Sequence, residues 1–253
     1  MENSNIIVMN DIHKSFGNFK VHKGINITVP KGAITVILGP SGTGKSVLLK
    51  QMMGLLMPDS GEIFVDGVDI TKIDKKALIS VRKKFGMLFQ NAALFDSMNV
   101  YDNVAFPLRE HTKLTERKIK DVVYEKLRLV GLKDVEKKLP SELSGGMRKR
   151  VGLARAIALE PDIILYDEPT TGLDPIMKDV VDNLIYDTQK KLGITSVVIS
   201  HDIDSTYKIA DYIAMIYDGK TMFRGSVEDF KNSDNPYVKQ FTSGSMEGPI
   251  KFF

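Results

Sequence analysis

Residues 34–54 read ITVILGPSGTGKSVLLKQMMG. A solid apolar run gives way to a glycine-rich turn and then to an apolar stripe at helical spacing. An unbroken apolar run of this length is how a strand buried on both faces reads. The turn from Gly39 to Ser46 matches the pattern G-x-x-x-x-G-K-S. Between a strand and a helix, that spacing makes a phosphate cradle. Gly39, Gly42 and Gly44 let the backbone wrap an anion without Cβ clashes, and Pro40, Ser41 and Thr43 complete the turn. Lys45 is placed to neutralise the β/γ oxygens of a nucleotide, and the Ser46 hydroxyl to ligate Mg²⁺. An ordinary glycine-rich turn is the bland alternative, and the strand–turn–helix context weighs against it.

Outward from this loop the chain keeps a β/α rhythm. Residues 6–36 read as strands with turns. GEIFVDGVDI (61–70) reads as a hairpin about Asp66-Gly67, and FGMLFQ (85–90) as a strand ending at Gln90. From about residue 100 to 160 the period becomes helical. In TERKIKDVVYEKLRLVGL (115–132), Ile119, Val122, Val123, Leu127 and Val130 share one face and Gly131 supplies a C-cap. The β/α rhythm then returns with DIILYDE, an amphipathic helix ending at Gly193, the strand TSVVIS, and a hairpin about Asp218-Gly219. SDNPYVKQFTSGSMEGPIKFF (233–253) reads as a tail. The pattern predicts an α/β core, an antiparallel β portion near the front and a helical insert. The expected boundaries are one domain over 1–235, with the insert at about 91–160, and a tail over 236–253.

Composition narrows the class. The 253 residues are 43% hydrophobic and 26% charged, with a formal net charge of +3. That balance suits a globular protein and is too mild to point to nucleic acid. With no cysteine, disulfides and thiolate chemistry are excluded. MENSNIIVMN at the start makes a poor signal peptide. No stretch approaches the roughly 18–20 apolar residues of a membrane span, so work at a membrane needs another chain to cross it. Lys72, Lys75, Lys76, Arg82, Lys83 and Lys84 form a basic run that reads better as a solvated helix face than as a lipid headgroup site.

Further residues carry chemistry. IILYDE (163–168) ends a buried strand in two carboxylates. Asp167 is placed for Mg²⁺ through water, and Glu168 to act as general base on an attacking water. Taken alone, such a pair reads as a cap for the next loop, and the phosphate loop upstream changes that reading. His201 follows a strand at the end where ligands of α/β sheets gather, within reach of a γ-phosphate. Gln90 offers an amide oxygen to Mg²⁺ or water. LSGGMRKRVGLARA (143–156) opens a helix with Ser144 as N-cap and Gly145 and Gly146 behind it, a second anion-binding turn. Placed on the helical insert, this turn is expected to serve a second molecule's nucleotide. Two head-to-tail copies would then sandwich two ATP molecules in an isologous interface. ATP closes such a dimer and hydrolysis loosens it.

In this order, the motifs resemble the ATPase subunits of ABC transporters over nearly the whole chain. Phe16 in KSFGNF looks like the A-loop aromatic that stacks on adenine, Gly39–Ser46 like the Walker A, and Gln90 like the Q-loop. LSGGM (143–147) looks like the signature, Ile163–Glu168 like the Walker B, TGLD (171–174, with Asp174) like the D-loop, and His201 like the switch histidine. The resemblance implies a P-loop NTPase (RecA-like) core with an antiparallel β subdomain and an α-helical signature subdomain. It also implies ATP with Mg²⁺, a homodimer and an integral-membrane permease. Met147 stands where most of the family has Gln, which is similar to the Mce/Mla-type lipid transporter ATPases. Residues 89–111 and 241–253 look like that subgroup too. The subgroup implies phospholipid transport between bacterial membranes from the cytoplasmic face of the inner membrane. It adds an Mce-domain lipid-binding protein and a STAS-domain subunit as partners. In relatives the C-terminal tail can run further and pack on the opposite subunit. The competing expectations are an importer ATPase for a polar solute such as an amino acid, and a soluble ABC protein of translation or DNA repair.

Overall fold

The computed structural model describes residues 5–251. Met1–Ser4, in the stretch read as a poor signal peptide, and Phe252–Phe253, at the end of the tail, lie outside the described residues. In chain order the elements begin with β1 (Asn5–Phe16), β2 (Phe19–Pro30), β3 (Ile34–Leu38), α1 (Lys45–Met52), β4 (Ser60–Val65), β5 (Val68–Asp69), α2 (Lys75–Arg82) and β6 (Phe85–Leu88). Three helices follow, α3 (Val100–His111), α4 (Glu116–Leu129) and α5 (Gly145–Ala156). The chain continues through β7 (Ile163–Asp167), α6 (Pro175–Leu192), β8 (Thr195–Ser200), α7 (Ile203–Ile209), β9 (Tyr212–Tyr217), β10 (Lys220–Ser226), α8 (Val227–Lys231) and α9 (Pro236–Ser243).

Contacts divide the chain into two compact units, one of residues 1–82 with 195–253 and one of residues 83–194. In the first unit, β2, β1, β4 and β5 pair antiparallel in that order. The strands β10, β9, β3 and β8 form the other sheet portion of this unit. There β3 is parallel to both β8 and β9, and β9 and β10 are the expected hairpin. All five residues of β3 are buried, as its apolar run requires. Each buried aliphatic side chain of this kind contributes about 1.5–3 kcal/mol.

Helix α1 is shorter than its apolar pattern suggests. It stops at Met52, and Gly54 turns the chain at φ 63°, with the amides of Leu55 and Leu56 both donating to the Lys50 carbonyl. That left-handed turn consumes the carbonyl at the helix end and prevents further extension. The segment read as a tail carries α9, N-capped by Asn235 and ended by Gly244 at φ 66°.

The second unit pairs β6 parallel with β7 and packs α3, α4 and α5 on one another. Asn99 N-caps α3, with its side chain accepting from the Asp102 amide at 2.7 Å. Arg109 joins α3 to the start of α4 by ion pairs to Asp102 and Glu116, both at 2.9 Å. The apolar face expected for α4 is buried through Ile119, Val123 and Leu127.

Candidate nucleotide site

The glycine-rich loop leaves β3 and enters α1 within the first unit. Gly44 sits at φ 89° as the N-cap of α1. A Cβ there would come within 2.5 Å of Val21 Cγ1 and 2.7 Å of His22 Nε2. Glycine is therefore demanded twice, by dihedral and by space. A Cβ at Gly39 would overlap the Ile216 carbonyl oxygen of β9, while one at Gly42 would meet nothing within 4 Å. The loop thus packs tightly at both ends and stands open at its crest.

Lys45 is 4% exposed. Its ammonium donates to the carbonyls of Gly39 at 2.7 Å and Pro40 at 2.9 Å, so the charge is held over the loop's own backbone. Ser46 in the first turn of α1 is exposed. The Thr43 hydroxyl donates to the Pro40 carbonyl at 2.9 Å and tightens the turn.

His22 is a supporting residue that the sequence did not reveal. It is 1% exposed and its Nε2 lies 3.2 Å from the Gly44 carbonyl oxygen. Burial pushes its pKa below the ordinary histidine value, against the opposing pull of the Gly44 carbonyl and the Gln51 side chain. Phe16 closes β1 and is 50% exposed, with the Lys14 ammonium 5.6 Å from its ring centroid. An aromatic face of this kind is open for stacking. His201 directly follows β8 and is exposed.

In the second unit, Asp167 is the last residue of β7. Glu168 lies just beyond it in a left-handed conformation, φ 47°. The Thr171 hydroxyl donates to its Oε2 at 3.0 Å, and the Thr171 amide to its carbonyl at 3.2 Å. Buried Lys149, on α5, donates to the carbonyls of Pro169 and Thr171, and so fixes the turn that carries Glu168. Burial lowers the pKa of Lys149. Asp174 N-caps α6, accepting from the Met177 amide at 3.0 Å.

Ser144 N-caps α5 as expected, accepting from the Met147 amide at 3.2 Å. Gly145 is its first helical residue. A Cβ at Gly146 would overlap Met177 Cε, so α5 starts against the first turn of α6. Ser144 itself is exposed.

Gln90 does not end a strand. β6 stops at Leu88, and Gln90 is exposed two residues later. Ala92 and Ala93 follow at φ 60° and 46°, a conformation unfavourable for alanine. Arg155 of α5 accounts for it, donating to the carbonyls of Ala92 at 2.7 Å and Ala93 at 2.8 Å. Asn103, fully buried on α3, then anchors residues 95–99 by accepting from the Phe95 amide and donating to the carbonyls of Phe95, Met98 and Asn99.

A family model described as ABC transporter matches residues 22–171. The chain belongs to the ABC transporter family. It is an ABC-type ATPase with a P-loop NTPase fold, as its motifs imply, and ATP is the nucleotide of the family. Among curated relatives, it is 46% identical to the protein named intermembrane phospholipid transport system ATP-binding protein MlaF of Haemophilus influenzae. That alignment covers 99% of this chain and 95% of the relative. MlaF of Escherichia coli K12 is likewise 46% identical, over 98% of this chain and 93% of its own length. The protein named probable ribonucleotide transport ATP-binding protein mkl, of Mycobacterium tuberculosis H37Rv, is 48% identical over 96% of this chain and 68% of its own. Among solved structures, cbiO1 of Clostridium perfringens, part of the ABC transporter complex cbiONQ, superposes with a TM-score of 0.84 at 31% identity. It covers 93% of this chain and 94% of its own. A dimeric ATP-binding cassette in a post-hydrolysis state with ADP and Pi superposes at 0.79 with 28% identity, covering 87% and 98%. As an ABC cassette, the chain belongs to a class that forms dimers and works with membrane components.

Proposed function

We propose that this ABC transporter ATPase drives phospholipid transport between bacterial membranes, as an ATP-sandwich homodimer beside a permease. The observation that carries the lipid assignment is the 46% identity to a phospholipid-transport ATPase across 99% of this chain and 95% of that relative. In this reading Phe16 stacks on adenine, Gly39–Ser46 wrap the phosphates, and Lys45 shifts from its loop carbonyls to the β/γ oxygens. Ser144, Gly145 and Gly146 meet the γ-phosphate bound by the second copy, with Asp174 at the same interface. Glu168 takes the proton from the attacking water, and His201 contacts the γ-phosphate.

Among the described residues, no three His, Cys, Asp or Glu side chains cluster to hold a metal. Ser46, Gln90 and Asp167 offer a hydroxyl, an amide and a carboxylate oxygen, a donor set made of oxygen alone. That donor set suits Mg²⁺, a hard ion that keeps several waters. Ser46, Gln90 and Asp167 would hold it, and it would neutralise charge developing on the phosphate oxygens. Among the described residues, no helix is long and apolar enough to cross a membrane. In this reading the protein is peripheral, on the cytoplasmic face of the inner membrane. An Mce-domain lipid-binding protein and a STAS-domain subunit complete the assembly.

The test is affinity purification from native membranes in mild detergent, with bound proteins and lipids identified by mass spectrometry. Recovery of a polytopic permease, an Mce-domain protein and phospholipid is the expected result. A permease with a solute-binding protein would move the assignment to a polar-solute importer. Absence of any membrane partner would favour a soluble ABC ATPase.

A further inference from the structure

The C-terminal segment is fastened by side chains as a strand would be by a neighbouring strand. Gln240 of α9 is buried and accepts from the Ile250 amide at 2.6 Å, while its Nε2 donates to the Ile250 carbonyl at 3.2 Å and to the Ser245 carbonyl at 3.3 Å. One residue on, the Lys251 amide donates to the Tyr217 hydroxyl at 2.7 Å, and that hydroxyl donates to the Lys251 carbonyl at 3.2 Å. Ile250 is buried, and Gly248 takes φ 152° where a Cβ would overlap the Gln240 side chain. Two consecutive residues thus have both their amides and their carbonyls satisfied by side chains. Such pairing gives the segment a fixed course.

That course brings Lys251 into the lining of a cavity beside the phosphate loop. A cavity of about 300 Å³ is lined by Ser41 and Gly42 of the loop, Lys20 and Lys23 of β2, Tyr217 and Lys251. Asp218 also faces it and pairs with Lys23. Three lysines against one aspartate leave the wall cationic, which suits an anionic ligand.

We infer that the C-terminal segment is part of this chain's own nucleotide site, with Lys251, bonded by Tyr217 next to the Gln240-bound Ile250, lining the cavity beside the phosphate loop to bind an anionic oxygen of the nucleotide. This rests on the phosphate loop being the nucleotide site. Lys251 acts in cis, on the nucleotide of its own chain. That differs from the arrangement open to relatives, in which the tail of one subunit can pack on the other.

The test is titration of the full-length protein with N-methylanthraniloyl-ADP and N-methylanthraniloyl-ATP at low ionic strength, with circular dichroism to confirm folding. Lys251→Glu is expected to weaken both nucleotides about threefold to tenfold, as expected for one partly screened charge contact reversed in sign. Lys251→Arg is expected to restore near-native affinity. Gln240→Leu frees the segment and reproduces the loss, and adding Lys251→Glu to it causes little more. Unchanged or tighter binding by Lys251→Glu, while Lys45→Ala abolishes binding, would overturn the inference and leave the phosphate-loop reading intact. A loss confined to ATP would overturn the cis placement, because ADP does not close the dimer. Unchanged binding in Lys45→Ala would remove the reading on which the inference rests.

Discussion

His22 carries an imidazole into a buried place, 1% exposed to solvent. Its nitrogen meets the Gly44 carbonyl, and burial disfavours the charged ring, so the folded pKa lies below the unfolded value. The unfolded chain then binds this proton more readily than the folded one. Stability is unaffected by this group well above pH 6.5, the usual histidine value of about 6.5 marking where the loss begins. It falls as the pH drops from there toward the depressed pKa. Urea melts from pH 8 to 5 are expected to show this decline, and His22→Phe to flatten part of it. Gly44→Ala is a harsher change, forcing a Cβ against Val21 and His22 at φ 89°. It is expected to cost about 1–3 kcal/mol of stability, read from chemical melts, and to abolish nucleotide binding.

At the scale of elements, Arg155 fastens the left-handed alanines after Gln90 to α5. Arg155→Met releases that turn. Limited proteolysis is expected to cut within residues 91–98 sooner than in the parent, and permease-stimulated ATPase activity to fall further than basal activity. Ser144→Arg is expected to spare ATP binding, measured by titration, and to block ATP-driven dimerisation. Strands, hairpins and α4 were legible because their apolar periods are long and their turns carry Asp-Gly or a capping glycine. The phosphate loop was legible because its glycines sit at the positions where backbone shape is most demanding. His22 was hidden for a local reason. Gly24, at φ 99°, shifts the register between β1 and β2, so His22 faces inward out of phase with Ile25, Ile27 and Val29. Lys149 and Arg155 were hidden for another. Their partners are carbonyls of loops far along the chain, and a carbonyl leaves no mark in a sequence. Gln90 reads as a strand end because Phe89 prolongs the apolar run, although pairing stops at Leu88.

For the whole molecule, the proposed cycle makes oligomeric state a readout of chemistry. Glu168→Gln is expected to lower ATP turnover by at least about a hundredfold, the scale of lost general-base catalysis. Light scattering is expected to show it dimeric with MgATP and monomeric without. A monomer that still hydrolyses normally would contradict the sandwich. The pairing of β3 sets a timetable as well. Its partners β8 and β9 begin at Thr195 and Tyr212, while β3 ends at Leu38. A ribosome adding 5–20 residues per second therefore needs roughly 8–30 s after completing β3 to deliver β8. For that interval the most apolar strand of the nascent chain waits with both edges open. Its bulky aliphatic side chains make it a natural client for chaperones that bind extended hydrophobic segments during synthesis.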